Sequence, residues 1–297
     1  MSDTDIEWAD KSWNMFRAYL ADGGPKEGKA GWACSRVSPG CDNCYAAQLN
    51  RFRGTGLDYR KQDLRHVTIQ LADALFEPLS WRKPKGVFPC SMTDLFLAEH
   101  SSDTIEDVFA IMALARRHTF RVLTKRPERA QAFLADRHLE ARVMERADVY
   151  SERDRWSPHA DWNWVWPLPN VWMGTSVEDQ RRADERLPIL RRTRAAKLWV
   201  SFEPLLEPVL IPLTGDVGRS IDWAVIGGES GPGARPFDVN WARFLITQLR
   251  AIGARPYVKQ IGARPYDQGV PIPGKRSKGG EMDRWPEDIR VREFPDA

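Results

Sequence analysis

The sequence predicts an α/β architecture, a full or partial parallel β/α barrel, and three observations predict it. Six short apolar runs, rich in β-branched or aromatic residues, recur along the chain. Segments with helical start and stop signals lie between them, the alternation of βαβ units. The runs are apolar on consecutive positions rather than alternating, as strands covered on both faces are. Six or seven such repeats favour a barrel, with a doubly wound open sheet as the alternative.

The runs are Gly86 to Cys90, Thr119 to Leu123, Val171 to Gly174, Lys197 to Val200, Trp223 to Ile226 and Pro256 to Val258. Each is too short for a helix. Among the helical segments, Asp103 with Glu106 resembles a capping arrangement, and Ile105, Val108, Phe109 and Met112 follow on one face. Pro127 stands where a proline opens a helix, ahead of Glu128 to Leu134. Asn240 precedes Trp241, Phe244, Leu245, Gln248, Leu249 and Ile252, and Gly253 closes that helix. A Trp-rich stretch at about residues 152–167, with Trp156, Trp162, Trp164 and Trp166, interrupts the rhythm and reads as an inserted loop.

With 297 residues, 42% hydrophobic and 29% charged, the chain can bury a sizeable core, which excludes a disordered class. A single domain over residues 1–297 is expected. The 44 Lys and Arg against 41 Asp and Glu give a net charge of +3, short of a dedicated nucleic-acid binder. No run of about 18 uncharged apolar residues occurs, and Met1 to Asp5 lacks the apolar core of a leader. A cytoplasmic protein with no membrane contact and reduced thiols is the expectation.

In parallel α/β folds chemistry gathers at the carboxyl ends of strands. The residues after the runs are Cys90-Ser91-Met92-Thr93-Asp94, Thr124-Lys125-Arg126, Thr175-Ser176-Val177-Glu178, Ser201-Phe202-Glu203, Gly227-Gly228-Glu229-Ser230-Gly231 and Lys259-Gln260. Glu178, Glu203 and Glu229 beside Lys125, Arg126 and Lys259 could hold a zwitterion, carboxylates on its ammonium and cations on its carboxylate. The glycine loop lacks both the P-loop Lys and the Rossmann spacing, so a tight turn competes with a ligand loop.

Cys34, Cys41 and Cys44 form a C-x6-C-x2-C cluster around Pro39-Gly40. Thiolates this close can converge on one metal centre, and a helix expected to begin near Asp42 would favour thiolate there. Structural zinc closes its tetrahedron with a fourth ligand, for which Cys90, His66 and His100 are the candidates; three ligands leave an open position. Zinc and iron–sulfur both remain open on spacing alone.

Several motifs carry a resemblance. Ile6-Glu7-Trp8 with Trp13-Asn14, Val37-Ser38-Pro39-Gly40-Cys41 through Cys44-Tyr45-Ala46, Ser91 to Phe96 and Leu123-Thr124-Lys125-Arg126-Pro127-Glu128-Arg129 are among them. With Leu168 to Gly174, Ser201 to Leu206 and Gly227 to Gly231 they cover most of the chain. They resemble a phage- and bacteria-associated three-cysteine family of proteins of unknown function, which looks like a branch of the radical S-adenosylmethionine (SAM) superfamily. The resemblance implies a TIM-like full or partial barrel, a [4Fe-4S] cluster on Cys34, Cys41 and Cys44, and SAM on its open iron. It implies that SAM is split to a 5′-deoxyadenosyl radical that takes a hydrogen atom from an unidentified substrate, nucleic acid or nucleotide being the candidate class. An electron donor such as flavodoxin or ferredoxin is then implied as partner. Ser91, Thr93 and Asp94 would meet the methionine amino group, Ser176 and Glu178 the ribose, and Gly227, Gly228 and Glu229 adenine or substrate. Thr124, Lys125, Ser201 and Glu203 complete the expected binding set, and Cys90 is a candidate hydrogen-atom donor beside the blander reading of a core thiol. Three departures stand out: the x6 spacing against the usual x3, Asn43 in place of an aromatic residue before Cys44, and an inserted stretch from Met15 to Ala33. The alternative function is a zinc-stabilised barrel that binds nucleic acid or protein.

Overall fold

A computed structural model describes residues 4–20, 29–153, 165–212, 218–273 and 278–295. The core of the expected Trp-rich insert, residues 154–164, lies outside them.

The chain clusters into two compact units, with residues 38–43, 173–193 and 197–297 in the second. In the first unit β1 is Lys11–Trp13, β2 Phe16–Leu20, β3 Ala30–Gly31, α1 Tyr45–Arg53, β4 Val67–Leu71, α2 Glu77–Ser80, β5 Gly86–Pro89, α3 Ser102–Leu114, β6 Thr119–Thr124, α4 Pro127–Ala135 and α5 Leu139–Arg153. β1, β5 and β6 pair in parallel, Lys11 opposite Val87 and Gly86 opposite Thr119. β3, β2 and β4 form a small antiparallel sheet, of which β2 and β3 fall within the stretch expected as an insertion. Ile105, Val108, Phe109 and Met112 are buried on α3 as their spacing predicts, but Ser101 caps that helix, its hydroxyl accepting from the Thr104 N–H at 3.2 Å.

β7 spans Val171–Ser176. The second unit then carries α6 Gln180–Arg191, β8 Lys197–Phe202, β9 Trp223–Gly227, β10 Phe237–Asp238, α7 Val239–Ala251, β11 Arg255–Gln260, β12 Pro265–Asp267 and β13 Val270–Pro271. β9 pairs in parallel with β8 and with β11. Asp238, not Asn240, caps α7, and Gly253 ends it with φ +79°. The outer edge of β11 meets the C-terminal stretch: Val258 N–H donates to Val291 and Glu293 N–H to Pro256, at 2.7 and 3.0 Å. The Phe294 ring stacks on Trp223.

All six expected runs are strands of one seven-stranded sheet, ordered β1-β5-β6-β7-β8-β9-β11. The seventh, β1, escaped the pattern because three residues leave no period to read. The order never reverses, and a doubly wound sheet has a reversal where its strand order switches. The fold is therefore mixed α/β with a parallel sheet of partial β/α barrel type, and the doubly wound alternative is corrected. Among the described residues no helix is long and apolar enough to cross a membrane.

Candidate cysteine and strand-end site

In the first unit the polar tips of β5 and β6 meet at Asp94. This carboxylate is 6% exposed and takes four donors. The Thr124 hydroxyl and Phe96 N–H bind Oδ1 at 2.7 and 2.9 Å, and Lys125 N–H and Arg126 Nη1 bind Oδ2 at 3.0 and 2.8 Å. Asp94 is an internal clamp that joins these strand ends. Arg126 turns its other nitrogen to the carbonyl and hydroxyl of Ser35, at 2.9 and 2.8 Å, and its side chain also bonds Cys34. Burial works against the charged guanidinium, but Asp94 and Cys34 outweigh it and hold its pKa above the usual arginine value.

The cysteine loop is tied to the same strand ends from both flanks. Before Ser35, the Ala33 carbonyl accepts from the Thr93 hydroxyl at 2.5 Å. After Cys44, the Tyr45 hydroxyl donates to the Ser91 carbonyl and the Tyr59 hydroxyl to that of Met92, at 2.5 and 2.7 Å. Cys34 and Cys44 pack against the cluster of Ala46, Ala47, Tyr59 and Met92. Tyr59 holds a left-handed φ of 60°, and its hydroxyl pKa is raised by burial and then by Cys34 and Cys44. The Ser91 hydroxyl is engaged by Asn14 Nδ2 at 2.9 Å. The expected helix near Asp42 begins later: Pro39–Cys41 is a 3-10 turn, and α1 starts at Tyr45 with Cys44 at its cap.

In the second unit each tip glutamate is bound directly to a cation of the protein. Glu178 is fully buried, with Arg186 Nη1 at 3.1 Å and the Gly40 N–H at 3.2 Å. Glu229 accepts from Arg235 Nη2, Nε and N–H at 2.6, 3.0 and 2.9 Å and from the Asn43 amide at 2.9 Å. Burial raises its pKa, and these Arg235 and Asn43 bonds overcome that and hold it below the usual carboxylate value. Glu203 accepts from Lys259 Nζ at 2.6 Å and Gln260 Nε2 at 3.2 Å. The β9–β11 register shifts between Val258 and Gln260, a bulge of the kind that re-aims a side chain, here Lys259. A Cβ at Gly227 would stand 3.3 Å from the Glu203 carboxyl and 3.1 Å from Gln260 Nε2; one at Gly228 would stand 2.8 Å from the Ile261 carbonyl. Ser176 and Ser201 are buried in their strands.

Cys34 and Cys44 belong to the first unit and Cys41 to the second, and all three are free and half-buried. Among the described residues, no three His, Cys, Asp or Glu side chains are gathered around one point as a single metal ion requires. Of the candidate fourth ligands, Cys90 and His100 make other contacts. Cys90 is buried with φ 60°, its Sγ 3.4 Å from Met15 Sδ, and burial, then Asp94 and Cys34, push its thiol pKa up. His100 stacks on Phe16 at 3.7 Å and bonds the Leu95 carbonyl through Nδ1, while His66 is exposed at the end of a 3-10 turn. Sequence reasoning missed Asn43, Tyr59, Arg186 and Arg235. Arg235 stands six residues after Glu229, a spacing that a loop can close, whereas the tie of Tyr59 to Met92 has no local signal.

The chain matches none of the curated proteins and none of the solved structures with which it was compared. A family model, described as Protein of unknown function (DUF5131), matches residues 3–286. That span takes in the cysteine loop and every strand of the large sheet, and the chain belongs to the DUF5131 family.

Proposed function

We propose that the chain is a radical SAM-type enzyme whose Cys34, Cys41 and Cys44 hold a [4Fe-4S] cluster. The observation that carries this reading is the placement of Cys34 beside a half-buried, Asp94-clamped Arg126, on a loop tied to the carboxyl ends of β5 and β6. Three soft thiol donors on one loop suit iron–sulfur ligation. A cluster takes each thiolate on a different iron, so its ligands need not converge on one point, whereas a lone zinc would gather them. When bound, the cluster supplies the electron that splits SAM into methionine and a 5′-deoxyadenosyl radical.

The chain's own groups then have defined tasks. Arg126 offsets thiolate charge at Cys34, and Asp94 fixes Arg126. The turn from Ser91 to Asp94 is the proposed place of the methionine ammonium. Tyr59 and Met92 cover the inner side of Cys34 and Cys44 against water. The pairs Glu203–Lys259 and Glu229–Arg235 are the polar groups proposed to meet ribose, adenine or substrate, the last being a nucleotide or nucleic acid. Flavodoxin or ferredoxin belongs to the same proposal as electron donor.

Anaerobic reconstitution with iron and sulfide tests it. Wild type is expected to gain the visible absorbance of the cluster and to cleave SAM reductively, and Cys34→Ala, Cys41→Ala and Cys44→Ala are each expected to lose both. Purified protein carrying one tightly held zinc and cleaving no SAM would overturn the reading.

A further inference from the structure

β4 forms one border of the small sheet β3-β2-β4, and its pairing with β2 decides which backbone groups that border presents. Phe16 stands opposite Leu71, and one step further along the same register the Ala72 N–H donates to the Met15 carbonyl at 2.8 Å. In an antiparallel pair, hydrogen-bonded and non-hydrogen-bonded positions alternate. Thr68 and Gln70 therefore turn their N–H and C=O groups to β2, and Val67, Ile69 and Leu71 turn theirs outward, where no described residue bonds them. Proteins blunt such an edge with charge, proline, a bulge or extreme shortness. β4 has none of these: Val67-Thr68-Ile69-Gln70-Leu71 is uncharged, holds no proline, and pairs with β2 without a shift of register. The opposite border, β3, is only two residues long.

We infer that this edge is a site of self-association, β4 pairing antiparallel with β4 of a second copy across a two-fold axis. The strand fits itself. With Ile69 on the axis, every outward-facing position meets an outward-facing position: Val67 lies opposite Leu71 and Ile69 opposite Ile69, and each such pair exchanges both of its backbone hydrogen bonds. The half-buried side of β4 then sets Val67 against Leu71 and Ile69 against itself, and the exposed side sets Thr68 against Gln70. Charge agrees with the same register. Arg65 stands two residues before the strand and Asp73 two after it, so the two-fold brings Arg65 of each copy to Asp73 of the other. Both are exposed, and neither has an ionic partner among the described residues. The contact is isologous and closes on itself as a dimer, because pairing covers both β4 edges and leaves the short β3 strands outermost. A strand from an unrelated protein would use the same hydrogen bonds but gain nothing from the match of Arg65 with Asp73. The inference rests on the small sheet alone and is independent of the proposed cluster.

Sedimentation velocity on the full chain tests it, over a dilution series reaching about 0.1 mM, where a small interface is populated. Wild type is expected to move from monomer to dimer as concentration rises. Thr68→Lys/Gln70→Lys, at exposed positions where folding is checked by circular dichroism, sets like charges directly opposite each other and is expected to stay monomeric throughout. Arg65→Asp is expected to weaken the dimer about tenfold, and Arg65→Asp/Asp73→Arg to restore it to within about twofold of wild type. Wild type that stays monomeric throughout would overturn the inference and leave the edge to a strand of another protein. So would a dimer that either the lysine pair or Arg65→Asp leaves intact, or one that the charge swap fails to restore.

Discussion

Asp94→Asn isolates the clamp on which the first unit's site is built. The substitution keeps the shape and removes one charge, yet every contact of the carboxylate is with a donor. Oδ1 faces the Thr124 hydroxyl and the Phe96 N–H, and Oδ2 faces the Lys125 N–H and Arg126 Nη1. Whichever oxygen becomes the amide NH2 confronts two donors, of which only the Thr124 hydroxyl can turn to accept. The Arg126 guanidinium, 14% exposed against 8% for the Asp94 side chain, loses its counter-charge. Breaking a buried pair from one side costs about 3 kcal/mol at the low end. With about 2.1 cal/mol/K of unfolding entropy per residue over 297 residues, that is a fall of about 5 °C in Tm if the chain unfolds as one. Differential scanning calorimetry reads it directly. Asp94→Asn/Arg126→Met removes both charges and is expected to recover part of the loss. A single variant melting within about 1 °C of wild type would refute the clamp.

Two more outcomes follow from packing and burial. A Cβ at Gly174 would lie 2.4 Å from the Trp199 ring, and both residues are buried strand positions, so Gly174→Ala overpacks the core. A loss of about 2 kcal/mol is expected in urea unfolding, with the slope unchanged. His100 gives a pH dependence: burial is the main cause that lowers its pKa from 6.5 to about 4, the Leu95 bond and Asp94 opposing and Arg129 and Arg126 adding to the fall. The folded state therefore refuses a proton that the unfolded state accepts, so stability is intact above pH 6.5, declines as pH falls, and stops declining near pH 4. His100→Gln is expected to flatten the denaturant midpoint over that window, and an unchanged slope of midpoint against pH would remove His100 as the cause.

What could be read before the fold was known follows a physical divide. The six runs were legible because a strand covered on both faces is apolar along its whole length, and Pro127 marked α4 because a proline at a helix start gives up no hydrogen bond. The antiparallel pair β2–β4 was not among the expected strands, although Val67-Thr68-Ile69-Gln70-Leu71 alternates strictly, with Thr68 and Gln70 exposed. The site divides in the same way. Asp94, Lys125 and Arg126 stand next to strand ends and were found there. Which carboxylates are neutralised was not legible, since Arg186 reaches Glu178 from inside a helix and Arg235 reaches Glu229 across a loop. Cys90 shows the limit most plainly, because neither its left-handed backbone nor its contact with Met15 leaves any mark on local composition.

The C-terminal stretch laid along β11 has a meaning for behaviour in a crowded solution. A parallel sheet ordered from β1 to β11 has a border strand at each end, and an open border is a template for pairing with another molecule. At one border β1 is only three residues long, too short to recruit much. At the other, β11 is six residues long and hydrophobic at its centre, and residues 291–293 take up the hydrogen-bonding groups that a stranger would otherwise use. Chain-to-chain growth along the sheet is thereby blocked from within the molecule, and a chain that lost those residues would present β11 as its stickiest surface.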